Sequence, residues 1–361
     1  MNRSSTALRT SPSWPAAWRR HLPGLAACLV LAIIAIRLGR LPWLASHGFS
    51  ALTVAIVLGI AAGNALPQDW TARAGPGIVF AKQVLLRAGI VLYGAKLTLQ
   101  DIGRVGAAGV LIDLLVLSST FALAWIFGTR LLRMDRHTTL LIGAGSSICG
   151  AAAVLATEPV VGADTDKVTV AISTVVVFGT LAIFLYPTLY RLDALGAVLP
   201  HGMHAFGVYE GSTIQEVAQV VAAAHGLGGP AADSAVIAKM VRVMMLAPFL
   251  IALSAWIARM GTPDASARRP ASGRLAMPWF AFLFIAVVVV NSLIHWTPAA
   301  MAAVDDLDLV LLGMAMGALG LTTQVASLRR TGFRPLLLAA LLWAWLVLGG
   351  AAINGAVTRL L

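Results

Sequence analysis

Runs of close to twenty apolar residues, ended by proline, glycine or charge, recur along this chain; "FAFLFIAVVVVNSLIHW" at 280–296 is one of them. A run of that length suits a helix crossing a hydrocarbon core about 30 Å thick. Inside lipid each backbone amide and carbonyl must find a partner within the protein, which leaves helices and closed barrels as the spanning forms. Of the 361 residues 59% are hydrophobic and 11% charged, against about 25% charged in soluble domains. That is too little polar surface to coat a soluble particle. The chain reads as an all-α polytopic membrane protein embedded in a lipid bilayer.

Eleven spans are expected, near 22–40, 49–66, 76–97, 105–128, 138–158, 167–190, 204–226, 234–258, 277–297, 307–326 and 335–358. The basic N-terminus before the run 22–36 imitates a signal peptide, but no small-residue cleavage site follows and Arg37 interrupts. An uncleaved first helix is the reading. The net charge of +11 is assigned to positive loops on the cytoplasmic side and not to a nucleic-acid partner. With the N-terminus inside, sixteen basic residues fall in cytoplasmic segments, among them Arg191, Arg259 and Arg329. Six fall opposite: Arg37, Arg40, Lys96, Arg104, Lys167 and Arg359. The C-terminus is then periplasmic.

Two short matches suggest an internal repeat. "HGF" at 47–49 returns as "HAF" at 204–206, and "VFAKQV" at 79–84 returns as "VIAKMV" at 236–241, both 157 residues on. This register lays the second to sixth spans over the seventh to eleventh, and an odd number of crossings inverts the second copy. The expected organisation is residues 1–48 as N-terminus and extra first helix, 49–190 as one five-helix repeat and 204–358 as its inverted copy.

The segment "IGAGSSICGAAAVLATEP" at 142–159 holds Gly143, Gly145, Ser146, Ser147, Cys149 and Gly150. Glycine costs about 1 kcal/mol against alanine in a helix, so this run is expected to unwind at mid-membrane. In the repeat register its mate is "LLGMAMGALGLTTQ", with Gly317, Thr322, Thr323 and Gln324. Two broken helices crossing there would offer amides, carbonyls and hydroxyls to a solute. The competing reading is close helix packing, for which Gly313 and Gly317 have the usual spacing.

Charge within spans is costly and seldom idle. Lys82 and Lys239 are expected as symmetry mates, with Arg242 beside the second and Arg87 near the first. Together with Gly145, Ser146, Ser147, Cys149, Gly317, Thr322, Thr323 and Gln324, the residues Lys82, Lys239 and Arg242 make the expected solute site. Asp113, Glu210 and Glu216 are the candidates for coupling to a proton or sodium ion. Internal ion pairing that serves assembly alone is the alternative. Cys28 and Cys149 lie in apolar segments, so neither a disulfide framework nor a metal site is indicated, and no GxxxxGK[ST] occurs. No cofactor is expected.

The stretches "GSSICGAAAVLATEPVV" (145–161), "STVVVFGTLAIFLYP" (173–187) and "GSTIQEVAQVVAAA" (211–224) resemble the YeiH-type family. Its members are bacterial inner-membrane proteins labelled sulfate exporters, which often carry histidine where this chain has Gln215. The resemblance covers the chain from about residue 25. It implies a fold related to bile acid/sodium symporters and sodium/proton antiporters, with two crossing broken helices. The expected function is secondary transport of a small anion, sulfate or a similar oxyanion or sulfonate, by ion-coupled export. A homo-oligomer is compatible with this. The alternatives are an anion channel and an intramembrane enzyme using Ser146 or Ser147. The enzyme is disfavoured because no G-x-S-x-G frames either serine.

Overall fold

A computed structural model describes residues 19–41, 43–44, 50–199, 201–259, 279–294, 296–323 and 331–360. Among them all regular structure is helical, as expected for an all-α polytopic membrane protein. Six helical stretches are long and apolar enough to cross a membrane: Leu22–Gly39, Ala72–Lys96, Leu99–Leu131, Thr165–Arg191, Gly229–Arg259 and Phe333–Leu360. Three more, Ala51–Ala65, Trp279–Leu293 and Pro298–Thr322, run between the same two ends of the bundle. Local sequence sets the starts. Thr98 and Asp101 form a capping box, while Ser50, Asp135 and Thr297 each accept an amide hydrogen bond in the first turn of the helix they precede.

In chain order the helices are α1 (Leu22–Gly39), α2 (Ala51–Ala65), α3 (Gln68–Phe80), which continues through a π turn into α4 (Leu86–Tyr93), and α5 (Leu99–Ile126). Then follow α6 (Arg136–Ser147), α7 (Ala151–Val161), α8 (Thr165–Arg191), α9 (Met203–Thr213) and α10 (Val217–His225). The last five are α11 (Gly229–Met244), α12 (Leu246–Arg259), α13 (Trp279–Leu293), α14 (Pro298–Thr322) and α15 (Phe333–Leu360). The second end of the bundle is stitched by Lys96 Nζ to Asp305 Oδ1 (3.0 Å), Asn291 Nδ2 to Leu97 O (2.8 Å) and Arg359 Nη2 to Ala197 O (3.0 Å). At the first end Asn64 Nδ2 donates to Thr323 O at 3.0 Å.

Two of the eleven expected spans do not cross. Asp135 precedes α6 and Lys167 follows α7, yet Lys167 Nζ lies 3.6 Å from Asp135 Oδ1. The segment α6–α7 therefore enters from the first end and returns to it. A Cβ on Gly145 would meet the Val154 side chain at 2.7 Å, whereas nine residues of straight helix span about 13.5 Å. The second hairpin shows in a parallel register: Gly207 packs on the backbone of Ala231 and Gly211 on that of Ala235. Helices α9 and α11 thus run the same way, and α10 is the return between them. Tyr93, near the second end, touches both His225 at the end of α10 and Asp233 near the start of α11. The hairpins enter from opposite ends and meet inside.

The runs 138–158 and 204–226 were expected as spans because each is long enough to cross; a break in the middle folds each back. Lys167 and Arg191 consequently exchange ends, one basic residue each way, so the charge count read from the sequence does not tell the two arrangements apart. The second expected break is also elsewhere. Helix α14 runs without interruption from Pro298 to Thr322, so Gly317 and Thr322 lie in regular helix. Gly317 and Gly320 press against Gly59 and Ile56 of α2, which is the packing reading of those glycines. Gln324 lies outside the described residues. The 157-residue register overlays continuous α2 on the second hairpin and the first hairpin on continuous α14, so it does not relate the two breaks.

Single cysteines at Arg136, Asp166 and Ala194 test this topology with a membrane-impermeant maleimide. The expected outcome is labelling of 136 and 166 from one side and 194 from the other. Eleven full crossings would instead put 136 and 194 together, with 166 opposite.

Candidate functional site

A helix that stops inside a membrane leaves carbonyls at its C-terminal end and amides at the N-terminus of the next segment without partners. In the first hairpin Ile148 leaves helical geometry and Gly150 takes φ +69°; in the second, Ile214 and Glu216 are extended. The released carbonyls converge on two cations of α11. Lys239 Nζ donates to Ile148 O at 2.8 Å and to Ile214 O at 2.6 Å, one from each hairpin. Arg242 donates through Nε to Ser147 O (2.8 Å), through Nη2 to Ser146 O (3.2 Å) and through Nη1 to Ser212 O. Both side chains are wholly buried. Helix C-termini carry partial negative charge, so the cations satisfy hydrogen bonds and dipole ends together.

The opposite polarity is handled by an acid. Glu216 Oε1 of the second hairpin accepts from Ala151 N, the first amide of α7 in the first hairpin, at 3.3 Å. Glu216 N in turn donates to Gln219 Oε1 at 3.1 Å. Gly150 cannot be another residue without cost: its φ is left-handed and a Cβ would fall 2.2 Å from Glu216 Cγ. Helix α8 closes the site, with Val175 against Gly145 and Gly150 and Gly179 against the Gln219 amide.

Around this junction several buried polar groups have no hydrogen-bond partner. They are Asp113 Oδ1 and Oδ2, Ser146 Oγ, both side-chain polar atoms of Gln215, Gln219 Nε2 and both carboxylate oxygens of Glu210. Asp113, on α5, is within electrostatic reach of Arg242 and Lys239 without bonding either. Cys149 lies at the first tip, within reach of Lys239, Arg242 and Glu216.

Of the residues expected from sequence, Gly145, Ser146, Ser147, Cys149, Lys239, Arg242, Asp113 and Glu216 come together here, with Glu210 on the same hairpin. The serines do so differently from expectation. Their carbonyls meet Arg242, and the Ser147 hydroxyl turns back to Ala144 O at 3.4 Å. Lys82 is not the mate of Lys239. It is half-buried on the π turn after α3, with Nζ 3.4 Å from Thr322 Oγ1. Gly317, Thr322 and Thr323 belong to that α14 region and not to the tips, and the Thr323 hydroxyl bonds Leu319 O. Arg87 stacks over the Phe280 ring. His204 pairs with Ser234, 2.6 Å away. Gln215 and Gln219 were missed as site residues, although "GSTIQE" repeats the Gly-Ser character of the first tip. No cluster able to hold a metal ion occurs among the described residues.

Two substitutions test the junction. Arg242→Met would leave three buried carbonyls unpaired, each costing about 1–3 kcal/mol, and should abolish stable folding or sharply lower the unfolding temperature in detergent. Gly150→Ala should destabilise clearly, while Gly103→Ala, where nothing lies near an added Cβ, should not.

Comparison with known proteins bears on the whole chain. Residues 23–339 match the family model described as Conserved hypothetical protein 698. A UPF0324 membrane protein of Pseudomonas aeruginosa is 59% identical over 344 residues, 95% of each chain. The UPF0324 inner membrane protein YeiH of Salmonella typhimurium is 53% identical over 337 residues, covering 92% of this chain and 93% of its own. That of Escherichia coli K12 is 51% identical over 335 residues, with the same coverage. No solved structure matches the chain.

Proposed function

The chain belongs to the Conserved hypothetical protein 698 family, the UPF0324 and YeiH membrane proteins, and from that premise we propose that it is a secondary transporter for a small anion. The observation that carries this is the meeting of two oppositely inserted hairpins around buried donors that bond nothing. Native interiors rarely leave such groups unpaired, since each costs about 1–3 kcal/mol. Ser146 Oγ, the Gln215 amide and Gln219 Nε2 are three hydrogen-bond donors of this kind, next to two buried cations. A solute with several acceptor oxygens and negative charge fits that chemistry: sulfate, sulfite, a sulfonate or a small carboxylate. Asp113, Glu210 and Glu216 are the acids that a coupling proton would use.

An intramembrane hydrolase finds less support. The Ser147 hydroxyl donates to a main-chain carbonyl and the Ser146 hydroxyl bonds no base. The first end is assigned to the cytoplasm of a bacterial inner membrane by its excess of arginine, which leaves the C-terminus periplasmic.

Purified protein in liposomes should take up labelled sulfate, or another member of the oxyanion series, saturably and in response to an imposed ion gradient. Changing Ser146→Ala together with Gln215→Leu should lower uptake at least about tenfold, because hydrogen bonds to a charged group contribute about 1.5–3 kcal/mol each. Uptake that does not saturate would indicate a channel. Normal uptake by a folded double variant would remove these residues from the site.

A further inference from the structure

We infer that the two hairpin tips form a cradle for a monovalent cation and that the chain fills it with its own Lys239, so that the transporter works without sodium. The inference rests on the transporter reading above. Carbonyls freed where membrane helices unwind are the groups that coordinate sodium in carriers built from discontinuous helices. Here five such carbonyls face the junction: Ser146, Ser147 and Ile148 from the first hairpin, Ser212 and Ile214 from the second. All five are already taken. The Lys239 ammonium sits between Ile148 O and Ile214 O, at 2.8 Å and 2.6 Å, bridging the hairpins as a free ion would. Arg242 holds the remaining three. Each cation is wholly buried, and each takes carbonyls from both hairpins.

A tethered cation differs from a free one in a way that can be measured. It is always present at unit occupancy, so sodium concentration has nothing to add. Removing it by Lys239→Ala leaves two buried carbonyls, on the negative ends of α6 and α9, around a space the size of the lost ammonium and its stem. A small cation can enter that space from solution. Lys239→Ser opens the same space and adds a hydroxyl oxygen that a cation can use.

Thermal unfolding of the full-length protein in detergent, with sodium chloride exchanged for choline chloride at constant ionic strength, reads this directly. The wild type should unfold at the same temperature in both salts. Lys239→Ala should unfold lower in choline and rise saturably with sodium, by at least about 2 °C. Should that variant fail to fold in any salt, Lys239→Ser, which opens the same space, takes its place with the same saturable sodium response expected. A saturable sodium response of the wild type, or indifference to sodium in the folded variant, would overturn the proposal. Neither outcome touches the anion assignment, which the uptake assay tests separately.

Discussion

Helices that stop halfway across a membrane are tolerated only if something inside the protein takes their loose ends, and the rest of this structure is arranged around that need. One turn of α11 supplies it. Lys239 and Arg242 lie three positions apart on one helical face and reach carbonyls of both hairpins, so a single rigid helix ties the two tips together. The second hairpin adds a direct link to the first through Glu216, whose carboxylate reaches the first amide of α7. Leaving any of these groups unpaired in hydrocarbon would cost several kcal/mol. The cations therefore stabilise the hairpins as well as lining the site.

Small residues set the rest of the geometry. Lipid gives apolar side chains no reason to leave it, so helices in a bilayer associate through close backbone approach. Gly59 and Gly63 of α2 meet Gly317, Gly320 and Leu321 of α14; Gly24 of α1 meets Gly77 of α3. The same device joins α9 to α11 through Gly207 and Gly211. One glycine chemistry thus serves two ends: packing in α14, and a chain reversal at Gly150.

That double use explains how much was legible in the sequence. Membrane embedding, helical class and the break after Ser147 follow from hydrophobic run length and from glycine's weak helix propensity. Lys239, Arg242 and Asp113 were identifiable because charge within an apolar run demands a reason. Hairpins and spans, by contrast, look alike. A helix-break-helix of twenty-odd apolar residues has the length of a crossing, and only tertiary contacts such as Lys167 with Asp135 show that it returns. The glycines of α14 imitate a break because composition does not record what lies against them. Lys82 was drawn to Lys239 by a register that the hairpins do not follow. Gln219 carries no charge, so nothing in the sequence singled it out, and Gln215 was marked only through the family resemblance.

The hairpins come as an opposed pair, and this has a consequence for how the chain is written into the membrane. Turning one re-entrant segment into a crossing would reverse every later element and send Arg259 and Arg334 across with them. Turning both does not, because the second reversal restores what the first disturbed. Arginine and lysine placement is therefore degenerate between two threadings of the described residues, one with both segments folded back and one with both crossing. What separates the two threadings is the reach of Lys239 and Arg242 on α11 to carbonyls that only folded-back segments present together.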